Sequence, residues 1–187
     1  MTGSRKSVRL QGFDYASSGA YFVTICTFQR QGLFGEIANG MVGLNEIGKM
    51  VLWHWNRIPT HFKNVELDEY IIMPNHLHGI ICIADDVGAK HSFPDPLKVC
   101  QDHSQNASPL QRPNGTESQS LCAIVQNFKS ITARKFHKMH RVEDGRLWQR
   151  NYYEHVIRNE NELNRIREYI IYNPVKWDED KENPKNW

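Results

Sequence analysis

No stretch of this 187-residue sequence approaches the roughly 18 consecutive apolar residues that a membrane-spanning helix needs. The first fifteen residues are basic and polar and lack the apolar core of a secretory signal, so a cytoplasmic location is the expectation. Cysteine is sparse. Cys26, Cys82, Cys100 and Cys122 are scattered and form no CxxC pair, which argues against a zinc ribbon or a disulfide framework and fits a reducing compartment. A strong excess of one charge is also missing: the net charge is +2 and the pI about 8.3, so any nucleic-acid surface must arise from local clustering. At 40% hydrophobic and 24% charged residues, the chain can still build one packed domain.

Residues 21–28, β-branched and aromatic, read as a strand. Leu33 to Leu44 is short and punctuated by glycine, as a hairpin or loop excursion would be. From Asn45 to Arg57, Ile47, Met50, Val51, Trp53 and His54 recur at helical spacing, with Asn45 as N-cap and Pro59 just beyond the end. Two strands follow, Val65 to Met73 and His76 to Ile83, joined at Pro74-Asn75. Residues 84–117 hold four of the eight prolines and no apolar periodicity, and are expected to be an insertion within the single domain. A helix over about 118–139, a strand over 152–157 and a helix over 160–172 complete the pattern, with an irregular polar tail from about residue 175. The order β, helix, β, β, helix, β, helix predicts an α+β fold: a ferredoxin-like antiparallel sheet with helices on one face.

Two short motifs carry chemistry. In Met73-Pro74-Asn75-His76-Leu77-His78, strand alternation turns both imidazoles to one face and Leu77 into the core. Two such rings can converge on a metal ion, and the pattern alone leaves coincidence on a sheet face equally open. Near the end of the last helix, Tyr169 and Asn173 are four residues apart and share a face. A phenol beside a carboxamide suits a nucleophile and a ligand, although a packing tyrosine and a helix C-cap would look the same.

Taken together, a His-hydrophobe-His strand and a tyrosine on a C-terminal helix resemble the single-tyrosine HUH transposases, and more closely the REP-associated tyrosine transposases. The shared features are Met-Pro-Asn-His-x-His and Tyr-x-x-x-Asn-Pro, together with Tyr21-Phe22-Val23-Thr24, Leu33-Phe34-Gly35 and Leu147-Trp148-Gln149-Arg150-Asn151-Tyr152-Tyr153. The resemblance implies a DNA strand-transfer endonuclease acting on single-stranded or hairpin DNA. Tyr169 would form a 5′-phosphotyrosine, and His76, His78 and Asn173 would hold Mg²⁺ or Mn²⁺. It leaves monomer and homodimer both open, and a role in the cytoplasm at the nucleoid.

DNA contact requires cations. Between residues 118 and 150, Lys129, Arg134, Lys135, Lys138, Arg141, Arg146 and Arg150 face only Glu143 and Asp144, so phosphates are expected here and at Arg5, Lys6 and Arg9. Trp148 and Tyr152 beside Arg150 are candidates for stacking on unpaired bases. Tyr172 is the rival nucleophile, with Tyr152 and Tyr153 behind it. Asp68, Glu69 and His155 are candidates for orienting a site histidine, with solvated charge or plain sheet positions the simpler reading. His137 and His140 are spaced to chelate, or to form a basic face. A catalytically idle DNA-binding protein and a phosphodiesterase using water as nucleophile are the competing functions.

Overall fold

Residues 17–84, 119–140 and 145–186 are described by the structure, a computed structural model. The N-terminal Arg5, Lys6 and Arg9, the Pro-rich segment beyond residue 84, and Arg141, Glu143 and Asp144 lie outside the described residues.

The β-branched, aromatic run near the N-terminus forms β1 (Gly19–Cys26). It is an inner strand covered on both faces, which is why its sequence is nearly continuously apolar. It pairs antiparallel with β5 (His76–Ile83) on one side and β6 (Tyr153–Ile157) on the other. With β4 (Val65–Ile72) outside β5, the sheet order is β4-β5-β1-β6. Two crossovers and one hairpin in that order give the expected ferredoxin-like α+β arrangement. The glycine-punctuated segment forms a separate hairpin of β2 (Gly35–Ala38) and β3 (Met41–Leu44). Its two-residue turn uses Asn39 (φ 53°) and Gly40 (φ 71°), the left-handed pair that matches strand twist.

Helices α1 (Glu46–Asn56) and α3 (Leu121–His140), with the single turn α2 (Ile58–His61), cover one face of the sheet. Asn45 caps α1 as expected, its side chain accepting from Gly48 N at 3.0 Å. The buried face of α1 is Met50, Val51 and Trp55, whereas Trp53, expected inward, is 55% exposed under the Arg57 guanidinium. The choice between the two tryptophans is made across the sheet: a Cβ on Gly79 would lie 2.4 Å from the Trp55 ring, so only glycine lets the indole lie against β5.

Helix α4 (Glu160–Tyr172) departs from the expectation of helices on one face. Leu163, Ile166 and Ile170 form a stripe that packs on Ala20, Phe22, Ile80 and Ile157, the opposite surface from the one α1 and α3 cover. Both surfaces of the inner strands are apolar, and one helical layer leaves the second wet; fully burying each aliphatic side chain of α4 is worth about 1.5–3 kcal/mol. This second layer brings the C-terminal tyrosine over the histidines.

Candidate active site

Because β5 is an inner strand with strict alternation, His76 and His78 emerge on the α4 face, in line with Ile80, while Leu77 and Ile81 enter the other core. Both rings are buried and their centroids are 4.4 Å apart. Each is oriented by a neighbour. His76 Nδ1 lies 2.8 Å from Asn75 Oδ1, which can only accept, so Nδ1 carries the proton and Nε2 keeps its lone pair. His78 Nδ1 lies 2.8 Å from Thr24 Oγ1, its register partner on β1, and its ring stacks on Phe22. Asn75 is itself fixed, donating through Nδ2 to the carbonyls of Arg30 and Glu182.

Helix α4 begins at Asn159, whose side chain accepts from Glu162 N at 2.9 Å. It delivers the Tyr169 hydroxyl to 3.2 Å from His78 Nε2, with its ring edge-on to Phe22. Asn173 is the C-cap, and its side chain is turned inward: it is 2% exposed and Nδ2 donates to Asp180 Oδ2 at 2.8 Å. Asp180 belongs to the tail. Its carboxylate, His76 and His78 present coordinating atoms that all lie within 4.8 Å of one another. The tail is anchored by Glu182, which pairs with Arg30 at 2.8 Å.

Burial is the main cause of the site's electrostatics. It lowers His76 to about 4, with Asp180 pulling the other way, and it lowers His78 well below the ordinary imidazole value, aided by His76 and Lys181. Both rings are therefore neutral near pH 7, the form that coordinates metals. Burial also raises the Tyr169 phenol to about 12; Asp180 and Glu182 add to this and Asn173 opposes it. Such a phenol is a poor nucleophile unless its proton has somewhere to go.

Two of the site's buried atoms, His76 Nε2 and Asn173 Oδ1, have no hydrogen-bond partner. Orphaned buried acceptors are costly unless a ligand satisfies them. With the Asp180 carboxylate beside them, they form a mixed nitrogen and oxygen donor set suited to Mn²⁺ or Mg²⁺, so the residues present fit a divalent ion. A cavity of about 600 Å³ opens beside them, lined in part by Tyr153, Arg165, Tyr172, Lys176 and Lys181.

Other predicted residues fall elsewhere. Trp148 is buried and donates Nε1–H to Thr132, so it offers no face to a base. Lys129 spends its ammonium on the carbonyls of Gln149 and Arg150, at 2.6 and 3.0 Å. Arg134, Lys135 and Lys138 are exposed on α3, behind the sheet as seen from the histidines, and Arg150 is exposed before β6. Asp68 meets Arg167, and His155 meets Glu162; neither touches a site histidine. His137 bonds the Gly145 carbonyl, and the His140 ring packs on Phe136. Asp180 and Thr24 join the site without any local sequence motif that marks them as site residues. Thr24 was legible as a same-face neighbour once β1 and β5 pair, whereas nothing local marks Asp180 among the tail's acids.

A family model for IS200-like transposases matches residues 114–173, the segment containing Tyr169 and Asn173. An uncharacterised protein of Haemophilus influenzae is 41% identical over 177 residues, 95% of this chain and 92% of its own length. Among solved structures, a REP-associated tyrosine transposase bound to a REP hairpin is similar with a TM-score of 0.52 and 17% identity, over 95% of this chain and 74% of that one. That last likeness speaks for the fold. The C-terminal third of the chain thus carries the IS200-like transposase pattern, on a fold like that of the REP-associated structure, with paired histidines facing a helical tyrosine.

Proposed function

We propose that the protein is a divalent-metal-dependent endonuclease and strand transferase for single-stranded DNA beside a hairpin, working through a covalent intermediate on Tyr169. The observation that carries this reading is the approach of the Tyr169 hydroxyl to within 3.2 Å of His78, at the edge of a buried His76–His78–Asp180 cluster. His76, His78 and Asp180, with Asn173 through Oδ1, would hold Mg²⁺ or Mn²⁺. When bound, such an ion supplies charge neutralisation at the scissile phosphate.

The chain's own groups do the rest. Tyr169 Oη forms a bond to phosphorus as the bond from phosphorus to the 3′-oxygen breaks; the phenolic proton departs, and the 3′-oxygen gains one to leave as a hydroxyl. The DNA is left with a 5′-phosphotyrosine, whose bond energy is retained for rejoining. Asn75 fixes the tautomer of His76, and Thr24 holds the plane of His78. Phe22 packs against both the His78 and Tyr169 rings and supports their orientation. The exposed Arg134, Lys135, Lys138 and Arg150 are proposed to meet DNA phosphates away from the cut. A DNA substrate accords with a cytoplasmic, nucleoid-associated location.

The test is trapping of protein on a labelled hairpin oligonucleotide with a single-stranded flank, in Mn²⁺. Wild type should give an adduct stable to denaturant, and Tyr169→Phe and His76→Ala should give none. DNA binding without any adduct would favour an idle DNA-binding protein. Cleavage that survives Tyr169→Phe would favour water as the nucleophile.

A further inference from the structure

The Tyr169 helix crosses the sheet from one edge strand to the other and is tied at both. At the β6 edge, Glu162 bonds His155 at 2.8 Å and the Arg158 amide at 2.8 Å. At the β4 edge, Arg167 grips Asp68 in a two-pronged fork, Nε to Oδ1 at 2.8 Å and Nη2 to Oδ2 at 2.5 Å. Between the ties lie Leu163 and Ile166, apolar contacts that resist lifting but are non-directional. The fork, by contrast, fixes both distance and angle. It sits two residues before Tyr169, half a helical turn from the nucleophile.

A bulge in β4 aims the carboxylate. Leu67 pairs with Ile81 and Tyr70 with Gly79, so three steps along β4 answer two along β5. The extra residue keeps Val65 and Leu67, then Tyr70 and Ile72, all facing the α1 and α3 core. Asp68 falls on the other face, toward α4, and its carboxylate also accepts from the Glu69 amide at 2.7 Å. The carboxylate side is 8% exposed, so it is well shielded, whereas Arg167 is 35% exposed. Placing a buried carboxylate on an edge strand beside the nucleophile's helix goes beyond what anchoring alone requires, since Ile170 and its neighbours already anchor α4.

We propose that Arg167 and Asp68 form a positioning pair that sets the register of α4 on the sheet and so places the Tyr169 hydroxyl for attack. This rests on the reading of Tyr169 as nucleophile. Neither residue touches the reacting atoms; both act through the helix.

The test uses the full chain and four variants: Asp68→Asn, Arg167→Lys, the exchange Asp68→Arg with Arg167→Asp, and Tyr169→Phe as reference. Single-turnover adduct formation at saturating oligonucleotide, oligonucleotide affinity and the ¹⁵N signal of His78 Nε2 are measured on each. Arg167→Lys keeps the charge and loses the fork, and so decides the matter if Asp68→Asn does not fold. Positioning predicts a loss of about tenfold or more in adduct rate with affinity changed by less than about twofold, because a small misplacement costs rate and not binding. It also predicts a His78 signal moved toward that of Tyr169→Phe, and partial recovery of both readouts in the exchange variant. Unchanged rates, or rate and affinity falling in proportion, would overturn it. If wild type forms no adduct at all, the nucleophile reading fails, and the His78 signal alone decides whether the fork places the hydroxyl.

Discussion

At the scale of single residues, the site is built from atoms whose second partner is already taken. Thr24 occupies Nδ1 of His78, which leaves Nε2 for coordination and for the Tyr169 hydroxyl. Thr24→Val keeps the shape of β1 and removes that restraint, and the affinity for Mn²⁺, measured by titration calorimetry, should fall by about tenfold. Asp68 gives a pH prediction. Its hydrogen bond from Arg167 holds the carboxyl below its ordinary value of 3.8, against burial and with help from the Glu69 amide. A carboxyl depressed in the folded state contributes stability that is complete above the unfolded value and is lost as pH falls through the folded one. Asp68→Asn should therefore be less stable than wild type by about 1 kcal/mol in urea unfolding at pH 7, a value moderated by solvent on the Arg167 side. The gap should close as the pH falls below the ordinary carboxyl value of 3.8.

At the scale of elements, what was legible in the sequence was what is local. Alternation put His76 and His78 on one face, and helical spacing with an Asn159 cap put Tyr169 on α4. What depended on a partner far along the chain was not legible. Trp53 and Trp55 both sit near the apolar side of α1, and only the absence of a side chain at Gly79 selects Trp55. The β4 bulge shifts Asp68 from a presumed solvent position to the α4 face, which no two-residue alternation in β4 reveals. Trp148 lies in a loop whose burial depends on an isolated bridge to Thr27 and a bond to Thr132. Asp180 reaches the histidines because the tail folds back through Glu182 and Arg30. The Trp55–Gly79 contact yields its own prediction. Gly79→Ala forces the indole or the strand to move and should cost about 1–3 kcal/mol by thermal or urea unfolding. Mn²⁺ affinity should fall with it, since Gly79 directly follows His78.

At the scale of the whole molecule, the sheet acts as a partition. One face carries the α1 and α3 core and the exposed cations of α3; the other carries the histidines, α4 and the folded-back tail. Both halves of the site, imidazoles and phenol, come from one chain. On the proposed reading, a single protomer holds phenol and imidazoles together, so no partner's tyrosine is required. Mixing Tyr169→Phe protein with His78→Ala protein should restore no cleavage, as read by adduct formation, whereas recovery would show that a tyrosine serves a partner's histidines.

The central claim is that Tyr169 becomes linked to DNA. Mass spectrometry of the peptide spanning Glu168 to Lys176, digested from wild type trapped on a hairpin oligonucleotide in Mn²⁺, addresses it most directly. The account predicts a nucleotide joined through a 5′-phosphate to Tyr169. An adduct on Tyr172, or products bearing free 5′-phosphates with Tyr169 unmodified, would contradict it.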